Sequence, residues 1–411
     1  MRSPSRSIPT LLLSAVAAGL GCREEPSLTG PESAPAPYSA AVVAAVVSPL
    51  SLLQVSAGQQ HACGVATDGR AWCWGYAGNG QLGNGNTGTE LCGNSPCSKR
   101  PVAVLGGLRF RHVSAGWDFT CGVTTDDRIY CWGQNDLGQL GTATLSRIST
   151  TPVAVAGNRR YRQVRAGGSS ACAITMARTA FCWGANNRGQ LGNGTGSGSQ
   201  VPVRVSGGAL LWAQLTIGFE HACGVTTDGR ARCWGVNILG ELGDGSTSDR
   251  ATPTAVAGGL RFAQIEGGPA HTCAVTTAGR GYCWGSGMAL GDGSTGEVAH
   301  LTPNPIAGNR VFANVSSGAN QSCGVTVSAR GFCWGLNAGT LGDGGTANRV
   351  TPALLAGGLS FIAVSVGGAE FSCGVATDAR AWCWGQNLFG NLGDGTDIPR
   401  SVPTPVAAPA P

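Results

Sequence analysis

Short apolar segments separated by glycine-rich loops follow one another along most of the chain, and no stretch keeps a helical period. Each unit is interpreted as four short strands. It opens with an apolar segment such as residues 109–113, and a glycine-containing loop then leads to a Cys-Gly-Val strand. The turn at residues 67–69 contains Asp-Gly, which favours a hairpin back into residues 71–74. A loop containing Leu-Gly, such as residues 81–83, then reaches a strand led by proline, such as residues 152–155.

Seven copies of this unit follow one another. The segment ACGVATDGRAWCWG begins at Ala62, and its first cysteine recurs at positions 63, 121, 172, 223, 273, 323 and 373. A fixed period near 50 residues is typical of stacked supersecondary units. Seven units of four strands predict an all-β protein, a seven-bladed β-propeller with four-stranded antiparallel blades.

The two ends of the repeat region predict how the ring closes. Residues 52–55 match the strand that opens each later unit, and residues 402–406 match the strand that ends each unit. We therefore expect the N- and C-terminal strands to pair within one blade, because this pairing would remove an open edge. A β-solenoid is the alternative, but it would need polar capping repeats, and both terminal copies have ordinary sequences.

The N-terminal segment has the pattern of an export signal. Arg2 and Arg6 precede an apolar run over residues 11–20, which is too short to span a bilayer. Residues 1–21 are therefore predicted to be a signal peptide, and Cys22 is predicted to be the lipidated residue of a bacterial lipoprotein. An ordinary secretory signal that is cut elsewhere is the alternative.

The next residues predict a tether and a single domain. Residues 22–39 are rich in proline and serine and cannot build a core, whereas residues 40–411 form one propeller in this interpretation. The apolar segment at residues 40–47 is predicted to be a first strand, since it is too short for a transmembrane helix. We expect an exported protein, either a cell-envelope lipoprotein of the outer membrane or periplasm or a secreted protein. Membrane contact would come only through the N-terminal lipid.

Cysteine spacing gives the most specific prediction. Seven pairs share the spacing Cys-x9-Cys, and a three-residue turn centred on Asp68 would place the members of a pair opposite each other on neighbouring strands. A metal site is the weaker interpretation, because zinc ligands usually come as closer pairs. Two further cysteines lie in the one long insertion, and Cys22 is the seventeenth, so no free thiol is expected in an oxidising compartment. The predicted disulfides are Cys63–Cys73, Cys92–Cys97, Cys121–Cys131, Cys172–Cys182, Cys223–Cys233, Cys273–Cys283, Cys323–Cys333 and Cys373–Cys383.

Composition excludes several classes of protein. Glycine accounts for 67 residues, charged residues for 12% and hydrophobic residues for 42%, which disfavours both a helical bundle and a disordered chain. The net charge of +5 comes without clustered basic runs, so no nucleic-acid partner is expected.

Motifs for chemistry are missing from the sequence. No Gly-x-Ser-x-Gly elbow or Walker loop occurs, and one aspartate in each Leu-Gly-Asp-Gly loop cannot supply the oxygens that calcium needs. We expect no catalytic residue, no cofactor and no metal. An active site built across blades from scattered residues stays open as an alternative.

Two residue types recur in the copies. The tryptophan after the second cysteine is interpreted as packing between blades rather than as an aromatic ligand cage. The arginine after the hairpin turn is interpreted as a solvated turn residue rather than as part of a ring for an anionic partner.

The copies differ most directly after a glycine that stands five residues before each first cysteine. The three residues that follow read QQH, WDF, GSS, FEH, PAH, ANQ and AEF. Equivalent loops of a propeller lie on one face, and aromatic residues among polar neighbours are typical of protein-binding hot spots. The candidate binding residues are His61, Trp117, Asp118, Phe119, Phe219, Glu220, His221, His271, Glu370 and Phe371. A second variable set at residues 136–137, 238–239 and 388–389 either extends this face or packs against its own blade.

The repeated pattern Cys-Gly-Val-Thr-Thr-Asp-Gly-Arg, followed by Cys-Trp-Gly and Leu-Gly-Asp-Gly, resembles the repeats of the regulator of chromosome condensation family over residues 55–406. The resemblance implies a seven-bladed propeller. The cysteine pairs are similar to those of an exported bacterial branch that includes a propeller-type β-lactamase inhibitory protein. The eukaryotic founder is a nucleotide-exchange factor for a small GTPase and depends on a wedge-like insertion, which residues 87–100 do not resemble.

The expected function is binding without catalysis, since fold alone does not supply an activity. We expect a monomeric, exported propeller that binds a protein or a glycan. The alternatives are an inhibitor of a secreted enzyme and, by family analogy alone, a guanine-nucleotide exchange regulator.

Overall fold

The computed structural model describes residues 50–88, 90–144, 146–295 and 299–409. The predicted signal peptide with Cys22, the tether and the strand expected at residues 40–47 lie outside these ranges. The described residues form seven antiparallel sheets, which confirms the predicted seven-bladed β-propeller.

Each blade is built from consecutive strands, numbered here in chain order, and the first strand of each blade lies at the central channel. Blade 1 contains β1 (Leu52–Ala57), β2 (His61–Ala66), β3 (Ala71–Tyr76), β4 (Glu90–Cys92) and β5 (Ser95–Ala103). Blade 1 carries one additional strand, so that its order from the channel outwards is β1, β2, β3, β5 and β4. Blade 2 contains β6 (Phe110–Ala115), β7 (Phe119–Thr124), β8 (Ile129–Gln134) and β9 (Ile148–Ala154). Blade 3 contains β10 (Tyr161–Ala166), β11 (Ser170–Thr175), β12 (Ala180–Gly184) and β13 (Ser199–Arg204). Blade 4 contains β14 (Trp212–Ile217), β15 (His221–Thr226), β16 (Ala231–Gly235) and β17 (Arg250–Ala255).

The remaining blades repeat this order. Blade 5 contains β18 (Phe262–Gly267), β19 (His271–Thr276), β20 (Gly281–Gly285) and β21 (His300–Pro305). Blade 6 contains β22 (Phe312–Ser317), β23 (Gln321–Thr326), β24 (Gly331–Gly335) and β25 (Arg349–Leu354). Blade 7 contains β26 (Phe361–Val366), β27 (Phe371–Ala376), β28 (Ala381–Gly385) and β29 (Arg400–Pro405). Two short 3-10 turns cover Met288–Leu290 and Ala356–Gly358.

The hydrophobic core lies between neighbouring blades. All six residues of the second strand are buried in every blade, because adjacent sheets cover both of its faces. Between blades 1 and 2, Val65 and Leu82 pack with Phe110 and Trp132. The recurrent tryptophans therefore pack between blades, as predicted.

All eight predicted disulfides are present in the structure, and the cysteine prediction is confirmed. Cys63 and Cys73 are direct partners in the register of β2 and β3, with their Cα atoms 4.0 Å apart. The same pairing recurs in the other blades, because the hairpin turn has the same length in each. In the insertion, Cys92 and Cys97 join β4 to β5.

Ring closure differs from the prediction. Strand β1 belongs to blade 1 and β29 to blade 7, so the terminal strands do not pair within one blade, and that prediction is wrong. Repeat and blade boundaries coincide, so closure uses contacts between two complete blades. Leu52 N donates to Ala379 O at 2.8 Å, and the indole N–H of Trp74 donates to Asn391 O at 3.0 Å.

Candidate binding face and central channel

Two sets of loops lie at one end of the propeller. The loop that joins the first and second strands lies beside the end of the third strand. In blade 1, His61 pairs with Gly75, and Tyr76 N donates to Gln60 O. The loop after Trp-Gly therefore starts beside the variable triplet. We call this end the variable face. Its triplet positions with half-buried or exposed side chains include Trp117, Asp118, Phe219, Glu220 and Glu370.

The third residue of each triplet does not belong to this face. His61, Phe119, His221, His271 and Phe371 are fully buried. Each is the first residue of a second strand, which neighbouring sheets cover on both sides. This burial corrects the sequence prediction for half of the candidate binding residues, since their side chains are not accessible to a partner.

The buried histidines connect neighbouring blades. His61 Nε2 lies 2.8 Å from Thr120 Oγ1, and the Thr120 hydroxyl donates to Gln81 O at 3.0 Å. The Thr120 oxygen therefore accepts a hydrogen bond from the Nε2–H group of His61, which defines the tautomer. His221 and His271 make the equivalent contacts, to Thr272 at 2.9 Å and Ser322 at 2.8 Å.

Burial keeps these imidazoles neutral. It lowers the pKa of His61 and of His221 to about 3, and that of His271 to about 4. Each ring is thus a neutral donor at physiological pH and serves as a structural link between blades.

The structure brings two of the predicted aromatic residues together. Trp117 of blade 2 and Phe219 of blade 4 stack with ring centroids 4.0 Å apart and an interplanar angle of 21°. They meet over blade 3, where the triplet begins with Gly168. A Cβ atom at Gly168 would lie 2.6 Å from Phe219 Cδ2, so the stack needs a glycine there.

Exposed aliphatic side chains extend this surface. Leu137 is 53% exposed and lines a cleft together with Phe219 and Glu220. In the loop after Trp-Gly of blade 4, Ile238 and Leu239 are 57% and 39% exposed. These side chains extend the face rather than packing inside their own blades. We call Trp117, Leu137 and Phe219 the aromatic patch.

A second apolar pair lies on the variable face where blades 1 and 7 meet. The Tyr76 and Phe389 rings contact edge to face, with centroids 5.6 Å apart, and the neighbouring Leu388 is 61% exposed. The aromatic patch and this pair thus mark two separate parts of the same face.

Carboxylates surround the aromatic patch. Burial raises the pKa of Asp118, and a hydrogen bond from Asn79 opposes that rise. Glu220 Oε1 accepts from Asn187 Nδ2 at 3.4 Å, and the Arg188 guanidinium lies 3.8 Å from Glu220. An apolar centre is thus framed by polar groups, which is the arrangement of a protein-binding hot spot.

Glu370 lies apart from the patch on blade 7. Its backbone adopts a φ of 55°, and its carboxylate accepts from Asn320 Nδ2 at 3.3 Å. The structure does not bring Glu370 together with Trp117 or Phe219, although all three were predicted for one face.

The central channel has a volume of about 400 Å³ and is lined by polar side chains of the first strands. In most blades the fifth residue of the first strand carries a hydroxyl that accepts a hydrogen bond from a backbone N–H of the next blade. For example, Ser56 Oγ accepts from Ala115 N at 3.0 Å. Arg165 and Glu266 replace this hydroxyl in blades 3 and 5, and they form an ion pair at 3.1 Å. Sequence analysis missed this pair, because nothing in the chain shows that the two positions face each other.

His112 completes the polar cluster in the channel. Its Nε2 lies 3.2 Å from Arg165 Nη1, and burial followed by the Arg165 charge lowers the pKa of His112 to about 3. On the other side of the cluster, the Thr216 hydroxyl donates to Glu266 at 3.1 Å. The charged groups therefore satisfy one another and link blades 2 to 5.

The described ranges contain neither a cluster of metal ligands nor a membrane-spanning helix. Among these residues, no group of three histidine, cysteine, aspartate or glutamate side chains could hold a metal ion. Within the same ranges, no helix has the length and apolar character needed to cross a membrane.

The fold and the variable face define a repeat-built propeller scaffold. Residues 18–368 match the sequence profile of the RCC1-like domain, and the chain belongs to that family. It is 30% identical over 211 residues to the ultraviolet-B receptor UVR8 of Arabidopsis thaliana, covering 51% of this chain and 47% of the receptor. It is 31% identical over 211 residues to the probable E3 ubiquitin-protein ligase HERC6 of Homo sapiens, covering 49% of this chain and 20% of the ligase.

Solved structures show the same fold. Human WBSCR16 superimposes with a TM-score of 0.72 at 19% identity and covers 82% of this chain and 94% of its own. Prp20p of Saccharomyces cerevisiae superimposes with a TM-score of 0.72 at 21% identity and covers 87% of each chain. The matched region is about half the length of the plant receptor and a fifth of the ligase. Sequence identities this low establish that the proteins share an architecture, and they do not establish that the proteins share an activity.

Proposed function

We propose that the protein is an exported scaffold that binds another protein through the aromatic patch. The stacked Trp117–Phe219 pair carries the proposal. It presents two large rings beside the exposed Leu137, with Asp118 and Glu220 at the rim. Rigid aromatic side chains of this kind dominate the energetics of protein interfaces.

A protein partner is favoured over a glycan. A sugar would use the face of an aromatic ring, and the stack covers one face of Trp117 and one face of Phe219. Aliphatic side chains at Leu137, Ile238 and Leu239 add apolar area that suits a protein surface. Inhibition of a secreted enzyme would be one form of this binding, with the enzyme as the partner.

The proposed function includes no catalysis. The buried histidines are neutral and bound to hydroxyls, and the Arg165 and Glu266 charges are paired. Guanine-nucleotide exchange is not carried over from the family, because the 21% identity to Prp20p supports the fold alone.

Export is supported by the cysteines. Eight disulfides are typical of a protein from an oxidising compartment. They leave Cys22 as the one cysteine outside the bonds, and we propose that it carries the lipid anchor.

Fractionation of cells that express Cys22→Ser tests the anchor. The variant should leave the membrane fraction while its disulfides still form, because the sequence up to residue 21 would still direct export. Membrane association equal to that of the wild type would contradict lipidation at this residue.

A paired pull-down tests the binding face. The full chain, Trp117→Ala/Phe219→Ala and the control Tyr76→Ala/Phe389→Ala would each be immobilised and exposed to envelope and secreted proteins. The control removes an aromatic pair from the same face at the boundary of blades 1 and 7. We expect a partner that wild type and control retain and that the first variant loses by at least about tenfold, since hot-spot residues contribute 2 kcal/mol or more.

Three other outcomes would contradict the proposal. Equal retention by all three proteins would move the site away from the aromatic patch. Equal loss by both variants would indicate a general effect of aromatic removal. Retention of no specific protein by the wild type would contradict a protein partner.

A further inference from the structure

Blade 3 has an unusual charge distribution. From residue 137 to residue 219 the chain contains eight arginines and neither an aspartate nor a glutamate. Arg165 lies in the channel, and Arg147 and Arg188 pair with carboxylates on the variable face. The other five belong to strands and turns at the opposite end, which we call the turn face because the second and third strands of each blade join there.

A cleft on the turn face collects several of these arginines. It has a volume of about 470 Å³, and Arg159, Arg160, Met176, Phe181 and Arg204 contribute to its lining. The Arg159 guanidinium lies over the Phe181 ring, 4.3 Å from its centroid. Met176 is 53% exposed. We call this site the arginine cleft.

The charges in the arginine cleft are poorly neutralised. Arg160 lies 3.9 Å from the carboxylate of Asp126, and the same carboxylate lies 3.8 Å from Arg128. Within the described part of the chain, no carboxylate lies within 4.0 Å of Arg159 or Arg204.

In blades 1, 2, 4 and 7 the turn arginine has a carboxylate beside it, unlike the turn of blade 3. Arg70 pairs with Asp68 at 2.6 Å and Arg380 with Asp378 at 2.7 Å, which supports their interpretation as solvated turn residues. The blade 3 turn has Ala177 where blades 1, 2, 4 and 7 have an aspartate, and blades 5 and 6 have Ala278 and Ser328 there. The aspartate that pairs with a turn arginine in four blades is therefore missing beside the arginine cleft, where further arginines gather.

Blade 6 provides an internal comparison. Arg310 lies over Phe332 there, 4.5 Å from the ring centroid, so an arginine stacked on an aromatic ring is not unique to blade 3. The residue opposite Phe332 is Leu354, whereas Arg204 stands opposite Phe181. The corresponding positions of the remaining blades hold Ala103, Ala154, Ala255, Pro305 and Pro405. Among the residues that the structure describes, only those of blade 3 place arginines from two strand ends beside a third-strand aromatic ring.

We propose that the arginine cleft binds an acidic segment of a protein partner. Planar guanidinium groups donate paired hydrogen bonds that match carboxylates, so Arg159 and Arg204 would each hold an aspartate or glutamate. An apolar side chain of the same segment would pack on Met176, and methionine, aromatic residues and arginine are enriched together at protein interfaces. This site lies on the opposite end from the aromatic patch, so the inference is independent of the proposed function.

Fluorescence anisotropy tests the inference with a labelled peptide in which four glutamates flank one leucine. The full chain would be compared with Arg159→Glu/Arg204→Glu and with Arg310→Glu/Arg330→Glu. Both variants change the net charge equally on the turn face, but only the first changes the arginine cleft. Thermal melts of all three proteins would verify that the exposed substitutions leave the fold intact.

The cleft variant is expected to bind the peptide at least about tenfold more weakly, because it loses charge-assisted hydrogen bonds, which are among the stronger polar contacts in proteins. The blade 6 variant should stay within about twofold, and added salt should weaken the wild-type complex. Equal losses in both variants, or no binding by the wild type, would overturn the inference. Exclusive binding of a sulfated oligosaccharide in the same assay would overturn it as well.

Discussion

Three histidines that look like surface ligands in the sequence are structural groups. His61, His221 and His271 begin second strands and bond to a hydroxyl of the next blade. In blade 6 the same position holds Gln321, whose side chain amide donates to Ser372 at 3.4 Å. The sequence signal for this link is a histidine or glutamine at the start of one second strand and a serine or threonine just before the first cysteine of the next copy. The signal can be interpreted only when the two copies are known to be neighbours in the ring.

These histidines make stability depend on pH. An unfolded histidine titrates near 6.5, whereas burial holds the folded-state pKa of His61 at about 3. Between these values the unfolded chain binds the proton and the folded protein does not. The free energy of unfolding should therefore be constant with respect to these groups above pH ~7 and fall as the pH drops through 6.5 towards 3.

The variant His61→Gln/His221→Gln/His271→Gln should reduce this dependence. Each histidine contributes a slope of at most ~1.4 kcal/mol per pH unit in that window, and glutamine contributes none. Urea unfolding of both proteins between pH 7.5 and 4.5 would measure the difference. His112 keeps its own contribution in both proteins, so some slope should remain. Parallel curves for the two proteins would contradict the assignment.

At the scale of elements, a tryptophan of each blade packs against the loop of the preceding blade, and in six of the seven blades its indole N–H donates a hydrogen bond to that loop. The Trp132 indole N–H donates to Gln81 O at 2.9 Å, in the Leu-Gly loop of blade 1. Gly83 of that loop has a φ of 68°, and a Cβ atom there would lie 2.8 Å from Trp132 Nε1. The recurrence of Leu-Gly and Cys-Trp-Gly thus has one physical origin.

A matched pair of substitutions measures this link. Trp132→Phe removes a bulky ring and a hydrogen bond, whereas Trp384→Phe removes the same ring from an indole that has no acceptor among the described residues. Both variants should lose stability, and Trp132→Phe should lose about 1 kcal/mol more, because a buried hydrogen bond contributes that much on average. Urea midpoints at unchanged m-value would show it. Equal losses in the free energy of unfolding would mean that packing alone explains why the tryptophan recurs in every blade.

The sequence was informative about elements because each one repeats seven times. The Asp-Gly turn and the cysteine spacing predicted the hairpin of Cys63 and Cys73 in its correct register. Contacts between copies were not available from the same pattern. The Trp117–Phe219 stack depends on Gly168 in the blade between them, and Arg165 and Glu266 are separated by about two repeats.

At the scale of the whole molecule, closure shows the same limit. The matched terminal segments predicted that strands β1 and β29 would share a blade, yet each completes its own. Both arrangements satisfy the same repeat pattern, since they differ only in where the chain enters the ring. Backbone pairing of Leu52 with Ala379 and the Trp74–Asn391 bond decide between them.

The two ends of the propeller differ in chemistry. The variable face presents the aromatic patch with carboxylates at its rim, and the turn face presents the arginine cleft on blade 3. The blades that carry both surfaces pack on each other through buried side chains, and a disulfide joins the second and third strands within each of these blades. Surfaces preorganised in this way suit a binding scaffold.

Site-specific photo-crosslinking in cells would test the binding claim most directly. A photoreactive residue would replace Leu137 in the aromatic patch or, as a control, Leu388, which is similarly exposed on the same face. We predict one protein crosslinked from position 137, lost when Phe219→Ala is added, and absent from position 388. No crosslink from position 137, or the same crosslinks from both positions, would contradict the account.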